Sequence, residues 1–165
     1  MGKRWTIDVY RHVDAPVETV WEIISNHRAY PLWTSMRTAR LEQEGSPHPD
    51  GIGAIRFLGV GPIGAREQVL DFEPPHHLAY TILSGPPVRG YRADMVLSPT
   101  SDGGTDLRWT GGFDSAPRGT GAANRALLER ALRTMADAIV VEGERRTRLA
   151  IEPTQPSGAM PNRSE

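Results

Sequence analysis

The stretch Asp14-Ala15-Pro16-Val17-Glu18-Thr19-Val20-Trp21, followed by Tyr30-Pro31-Leu32-Trp33, decides the fold. Residues 5–13 before it alternate apolar and polar side chains, which is typical of a strand with one buried face. Asp14 is a good N-cap, and Pro16 is tolerated in a first helical turn, so a short helix is predicted to follow and to end near residue 25. The helix is not expected to continue through Tyr30-Pro31, because a residue before proline avoids helical geometry. A second short helix or turn is predicted at residues 30–33.

The rest of the chain is predicted to be a strand meander followed by one long helix. Six strand-length segments follow the short helices, at residues 36–44, 52–58, 65–72, 77–83, 91–97 and 105–111. Their Gly-, Pro- and Asp-rich connectors are too short for crossover helices, so the sheet is expected to be antiparallel. Residues 122–149 are predicted to form an amphipathic helix. Its apolar face consists of Leu128, Ala131, Leu132, Met135 and Ile139, and Glu142 falls on the same face.

These elements predict an α+β fold in one domain, residues 1–150, with a disordered tail at 151–165. A curved antiparallel sheet of about seven strands must bury one face, and the long C-terminal helix is the only predicted element able to cover it. The letters Gly59-x-Gly61-x-x-Gly64 match the dinucleotide fingerprint. That fingerprint needs a helix after it and an acidic residue about 20 positions on, so a hairpin turn is predicted here instead.

Composition excludes several classes of function. The chain has 19 basic and 20 acidic residues and a net charge of −1, so no nucleic-acid partner is expected. It has no cysteine, which excludes disulfides and thiolate chemistry and fits a cytoplasmic protein. No apolar run predicts membrane insertion, and no signal-peptide core follows Met1. Lys3 is the only lysine among many arginines, a usage associated with high-GC bacterial genomes.

The order of elements, with Ala15-Pro16-x-x-x-Val20-Trp21 entering the first helix and Tyr30-Pro31-x-Trp33 after it, resembles the START-like (SRPBCC) superfamily. The bacterial polyketide cyclase/dehydrase and lipid transport branch is the most similar. Further matching segments are Gly51-x-Gly53, residues 71–75, Leu78-x-Tyr80, residues 91–94 and Gly104-Thr105-x-Leu107-x-Trp109. The resemblance implies a helix-grip fold, in which the sheet curls round the C-terminal helix and leaves a mostly apolar cavity for a hydrophobic molecule.

The predicted lining of that cavity consists of large apolar and aromatic residues on the apolar parities of their strands and on the long helix. They are Trp33, Phe57, Tyr80, Tyr91, Met95, Trp109, Met135 and Ile139. Ordinary core packing is the alternative for each residue taken singly, because aromatic residues dominate cores.

The charged strand residues Arg56, Glu67, Arg92, Asp94 and Arg108 are expected to form exposed cross-strand pairs, because charges are seldom buried. Arg56 and Glu67 face each other if the hairpin register is symmetric, and an inward-facing pair that anchors a polar ligand group is the alternative. The candidate catalytic residues are Tyr80, Tyr91, Glu67 and Arg56.

No metal or cofactor is predicted. His76 and His77 point to opposite faces of a strand. His12, His27 and His48 are expected at polar loop or edge positions, with no acidic cluster round them.

The function predicted first is binding or transport of a small hydrophobic ligand, lipid-like or polyketide-like, in the cavity without a committed active site. The alternative is an enzyme of the polyketide cyclase or dehydratase type that uses a tyrosine or a charged residue in the same cavity. A third possibility is an interaction module or homodimer that uses an exposed edge strand or the loops near Pro47 and Pro86-Pro87.

Overall fold

The computed structural model describes residues 3–115 and 119–152, which form one seven-stranded antiparallel sheet and three α-helices. The strands are β1 (Arg4–Val13), β2 (Thr38–Gln43), β3 (Ile55–Val60), β4 (Ile63–Glu73), β5 (His77–Ser84), β6 (Val88–Pro99) and β7 (Thr105–Ser115). The helices are α1 (Val17–Ser25), α2 (Tyr30–Trp33) and α3 (Gly121–Ile151), with a 3₁₀ turn at His27–Ala29. The predicted fold class is confirmed.

The sheet has the order β1-β7-β6-β5-β4-β3-β2. The first strand therefore pairs with the last one, and β1 and β2 form the two edges of the sheet. Helix α3 lies across the concave face and packs on β1, β7 and α1. At about 1.5 Å per residue its 31 residues span about 46 Å. Inward side chains such as Val9, Leu107 and Phe113 are at most 1% exposed, so the core lies between this face and α3.

Element ends differ from the predictions in two informative ways. Strands β4 and β6 begin earlier than predicted, at Ile63 and Val88, because strand pairing continues into the Gly- and Pro-rich connectors. The predicted disordered tail starts inside α3, whose last residue is Ile151, and residues 153–165 lie outside the described residues. Among residues 3–115 and 119–152, no helix is long and apolar enough to cross a membrane.

The predicted capping role of Asp14 is wrong. Pro16 occupies the N-cap position of α1 with extended backbone angles, and no side chain among the described residues caps the helix. Asp14 is 78% exposed, and its Oδ1 lies 3.2 Å from His12 Nε2. The helix therefore starts after the proline, two residues later than the cap rule requires for Asp14 to reach its amides.

The Gly59–Gly64 segment is a β-hairpin, as predicted. Val60 pairs with Ile63, and the intervening Gly61 has a φ of 58°, a left-handed conformation that glycine adopts without a steric cost. This turn sets the register of β3 and β4, which places Arg56 opposite Glu67.

Gly143 allows α3 to approach β1 closely. A Cβ at this buried position would lie 2.7 Å from Val13 Cγ1 and 3.4 Å from Ala15 Cβ. We expect Gly143→Leu to lower the free energy of unfolding by about 1–3 kcal/mol, because Val13 is fully enclosed and a larger side chain would overpack the contact.

Urea unfolding of Gly143→Leu measures this change, and Ala123→Leu on an exposed turn of α3 is the control, with an expected change within about 0.5 kcal/mol. Equal stabilities of the two variants would show that α3 does not pack on Val13 at this distance.

Candidate functional site

A cavity of about 160 Å³ lies between the concave face of the sheet and α3. Most of its wall is apolar, and the exceptions are an arginine, a glutamate and three tyrosines. The lining residues are Tyr30, Met36, Arg56, Leu58, Ala65, Glu67, Tyr80, Ile82, Pro86, Tyr91, Met95, Trp109, Leu128, Ala131, Leu132 and Met135.

Strand alternation explains which residues reach this cavity. Arg56 and Leu58 on β3 pair in register with Glu67 and Ala65 on β4, so all four share one face. The same period of two brings in alternate residues of β5 and β6. On α3, Leu128, Leu132 and Met135 recur at spacings of three and four and close the cavity from the other side.

Arg56 and Glu67 form a buried ion pair, so their predicted exposure to solvent is wrong. Arg56 is 3% exposed and Glu67 is 8% exposed. Arg56 Nε donates to Glu67 Oε2 at 3.0 Å, and Nη2 lies 2.9 Å from the same oxygen. The symmetric hairpin register brings the two residues together, and strand alternation turns them inward. Because the two charges cancel, the cavity contains a polar group without a net charge.

Burial shifts the protonation equilibria of the groups beside the pair. It raises the pKa of Glu67, and the Arg56 guanidinium opposes this rise without cancelling it. Burial also raises the pKa values of Tyr80 and Tyr91, so both phenols stay protonated near neutral pH. Arg56 Cζ lies 5.2 Å from the centre of the Tyr80 ring, which stabilises the buried cation.

The tyrosines and the tryptophan of the cavity supply further polar atoms. Tyr30 Oη donates to the carbonyl oxygen of Ile24 at 2.7 Å, which holds α2 against α1. Among the described residues, Tyr91 Oη and Trp109 Nε1 are buried and have no hydrogen-bond partner. The Arg56–Glu67 pair with the adjacent phenols can therefore position a polar group, donate to an oxygen or exchange a proton through Glu67.

The structure brings together seven of the ten residues predicted for the site. Arg56, Glu67, Tyr80, Tyr91, Met95, Trp109 and Met135 line the cavity. The other three residues lie elsewhere. Trp33 packs edge-on against Tyr30 with ring centres 5.0 Å apart, Phe57 lies on the outer face under Arg40, and Ile139 is 1% exposed within the core.

Several lining residues were not predicted. Leu128, Ala131 and Leu132 were identified as one face of the long helix but not as cavity wall. The inward parity of β5 includes Ile82, and that of β3 and β4 includes Leu58 and Ala65. No strand or helix periodicity identifies Tyr30 as a lining residue, because its position depends on how α2 folds back over the sheet.

His12 lies outside the cavity in a cluster of carboxylates, although no acidic cluster was predicted round it. His12 Nδ1 and Asp106 Oδ1 are 2.9 Å apart, and Asp14 and Asp102 lie near its other nitrogen. The prediction that His27 sits at a polar loop position is also wrong, because this residue is 1% exposed. Its Nδ1 lies 3.3 Å from Asp50 Oδ1.

One group on the outer face has metal-ligand chemistry. Asp71, His77 and Asp94 place ligand atoms within 4.8 Å of one another. Arg92 occupies both carboxylates, since its Nη2 lies 2.6 Å from Asp71 Oδ2 and 2.7 Å from Asp94 Oδ1. The arrangement is therefore an ion-pair network in which Arg92 takes the place a metal ion would need.

Comparisons with known proteins agree with this architecture. The family model described as "Polyketide cyclase / dehydrase and lipid transport" matches residues 4–144. No curated protein matches the sequence significantly.

Solved structures with the same fold come from distant relatives. A protein from Nitrosospira multiformis is 20% identical, with a TM-score of 0.70 over 87% of this chain and 99% of its own. A Thalictrum flavum norcoclaurine synthase point mutant, in complex with a transition-state analogue, is 16% identical, with a TM-score of 0.71 over 89% and 98%. A START superfamily protein from Mycobacterium smegmatis is 15% identical, with a TM-score of 0.70 over 86% and 98%.

Proposed function

Because the chain belongs to the polyketide cyclase/dehydrase and lipid transport family, we propose that its cavity binds and carries a small, mostly apolar molecule. The Arg56–Glu67 pair holds one polar group of that molecule. The observation that carries this proposal is an apolar cavity that contains a buried, charge-neutral pair. The apolar walls supply affinity through burial, and the pair supplies orientation.

Binding without chemistry is the function that the lining supports best. The described lining contains no serine, cysteine, histidine or lysine, so a serine–histidine or cysteine–histidine pair and a nucleophilic lysine are absent from it. The absence of cysteine from the chain is consistent with a cytoplasmic carrier.

A cavity-filling substitution tests the binding proposal. We expect small, mostly apolar probes of graded size (toluene, phenol, 2-naphthol and 1-octanol) to include at least one that binds the protein with one-to-one stoichiometry by calorimetry. Leu132→Trp should weaken that probe at least about tenfold, because the indole would occupy the cavity.

Leu127→Trp is the matched control on the same helix, since Leu127 is 61% exposed and does not line the cavity. Affinity should be unchanged in this variant. The proposal fails if none of the four probes binds, or if Leu132→Trp and Leu127→Trp bind the probe equally well.

A second candidate function is acid–base catalysis in the same cavity. The observation that favours it is Glu67, a buried carboxyl with a raised pKa beside the Arg56 guanidinium and the Tyr80 phenol. Glu67 would take or give a proton, while Arg56 and Tyr80 would stabilise a developing oxyanion, as a cyclase or dehydratase requires. One structural neighbour is a synthase, although at 16% identity its likeness concerns the fold.

Product analysis separates the two candidates. An enzyme should convert a bound β-hydroxyketone, and Glu67→Gln should lower kcat by roughly 10²- to 10⁴-fold while binding persists. A carrier should release the same compound unchanged.

A further inference from the structure

The volume of the cavity sets the size of the ligand. At about 160 Å³ it is close to the 150 Å³ apolar cavity that accommodates benzene, and it is below the 300–1,000 Å³ typical of sites for drug-sized molecules. One ring therefore fills the space between Met95 and Trp109 on the sheet and Leu132 on α3. A fused ring system or a long acyl chain would exceed it.

The charge of the cavity sets the polarity of the ligand. Arg56 and Glu67 neutralise each other inside a largely apolar wall, so an added ionic group would leave an uncompensated buried charge. A neutral polar group avoids that cost.

One atom of the pair is free to hold such a group. Both contacts of Arg56 go to Glu67 Oε2, and Glu67 Oε1 has no hydrogen-bond partner among the described residues. A carboxylate oxygen accepts hydrogen bonds and cannot donate them. The neutral group that fits this oxygen is therefore a donor, such as a hydroxyl.

Taking the proposed binding function as its premise, we infer that the ligand of this cavity is a single-ring compound with an uncharged hydroxyl or comparable donor that bonds to Glu67 Oε1. The ring lies against Met95, Trp109 and Leu132, and the donor points to the neutralised pair. Long-chain lipids and multi-ring compounds exceed the volume of the cavity.

A panel of five probes tests size and polarity separately by calorimetry at neutral pH. Phenol has the proposed ring and donor and is uncharged, since phenols ionise near pH 10. Toluene has the ring without the donor, benzoate has the ring with a negative charge, 2-naphthol has a second ring, and 1-octanol has a chain. We expect phenol to bind about tenfold more tightly than toluene and at least about tenfold more tightly than the other three.

Two variants relate these preferences to the named residues. Arg56→Met/Glu67→Leu removes the pair without leaving a charge, so phenol and toluene should bind it about equally. Leu132→Ala enlarges the cavity, so 2-naphthol should gain at least about tenfold relative to its binding to the unaltered protein.

The outcomes distinguish this inference from the proposed function. Tighter binding of 2-naphthol or 1-octanol than of phenol would overturn the size inference and leave the binding function intact. Tighter binding of benzoate or toluene than of phenol would overturn the polarity inference. If no probe binds, the proposed function fails together with the inference. The panel on the unaltered protein decides these points even if a variant does not fold.

Discussion

Replacing Glu67 by leucine is expected to lower the free energy of unfolding by about 3–5 kcal/mol, because it leaves the Arg56 guanidinium buried without a counter-charge. Arginine cannot escape this cost by losing its proton. The converse variant Arg56→Met should cost less, because the remaining carboxyl can bind a proton and its pKa is already raised by burial.

The double variant Arg56→Met/Glu67→Leu should recover most of the loss. It removes both charges together, and apolar side chains of similar volume often replace a buried ion pair without loss of stability. Urea unfolding of the two single variants and the double variant gives the coupling energy directly. Additive effects would contradict a direct contact between the two side chains.

An exposed pair provides the matched control. Arg108 and Asp8 also form a cross-strand contact, with Arg108 Nη2 2.8 Å from Asp8 Oδ2, but their side chains are 64% and 54% exposed. Arg108→Met should change stability by less than about 1 kcal/mol, because solvent screens this pair. If Glu67→Leu costs no more than this control, the Arg56–Glu67 pair is hydrated in solution and the polar anchor for a ligand is lost.

The fold was predictable because local patterns and connector lengths agree. Alternation in residues 77–83 and 91–97 places Tyr80, Tyr91 and Met95 on the face that α3 covers, and the short connectors allow only antiparallel pairing. The ends of β4 and β6 were not predictable in the same way. Pairing there depends on a neighbouring strand and continues through residues that by themselves favour turns.

The interior of the site was harder to predict because β3 is buried on both faces. Arg56, Phe57 and Leu58 are all buried, so burial by itself does not show which parity faces α3. An aromatic residue is more often inside than an arginine, which favoured Phe57 for the cavity and solvent for Arg56. Adjacent strand residues face opposite sides, and the covered outer face at Arg40 accommodates Phe57. The assignment of Phe57 to the cavity and that of Arg56 to solvent therefore both depend on which alternate residues of β3 face α3.

The histidine clusters depend on contacts that no local pattern encodes. His12 pairs in register with Asp106, which is 94 residues away, because β1 returns beside β7 at the edge of the sheet. His27 is buried because a 3₁₀ turn brings it under the loop that contains Asp50. These contacts between residues far apart in the sequence follow from the complete topology of the fold.

His27 is expected to make the protein less stable as the pH falls from about 6.5 to about 4. Burial, together with the positive charge of Arg56, lowers the pKa of His27 from 6.5 to about 4 in the folded state, and Asp50 opposes this shift only in part. In this interval the unfolded chain binds a proton that the native protein does not, so the free energy of unfolding decreases as the pH falls. At about 1.4 kcal/mol per pH unit the loss reaches about 3 kcal/mol near pH 4.

The variant His27→Gln isolates this contribution, because glutamine does not titrate. Urea unfolding at several pH values between 4 and 8 should show a flatter pH dependence in His27→Gln than in the unaltered protein. The control His12→Gln should act in a different pH range. The hydrogen bond with Asp106 raises the pKa of His12, so His12 stabilises the native protein below about pH 6.5 and loses that contribution as the pH rises. Its replacement should therefore change the slope above about pH 6.5 and leave the decline between about pH 5 and 6.5 as it is in the unaltered protein.

The aspartates with lowered pKa values leave the upper part of this window free. Asp8, Asp94, Asp102 and Asp106 have pKa values lowered below 3.8 by their partners, so they protonate only near and below pH 4. Glu67, with its raised pKa, favours the native protein as the pH falls and opposes the effect of His27. Identical slopes for His27→Gln and the unaltered protein between about pH 5 and 6.5 would mean that His27 is protonated while folded. Its Nε2, which has no hydrogen-bond partner in the described part of the chain, would then have to be hydrated. The packing of the 3₁₀ turn beside Asp50 would be looser than the buried position requires.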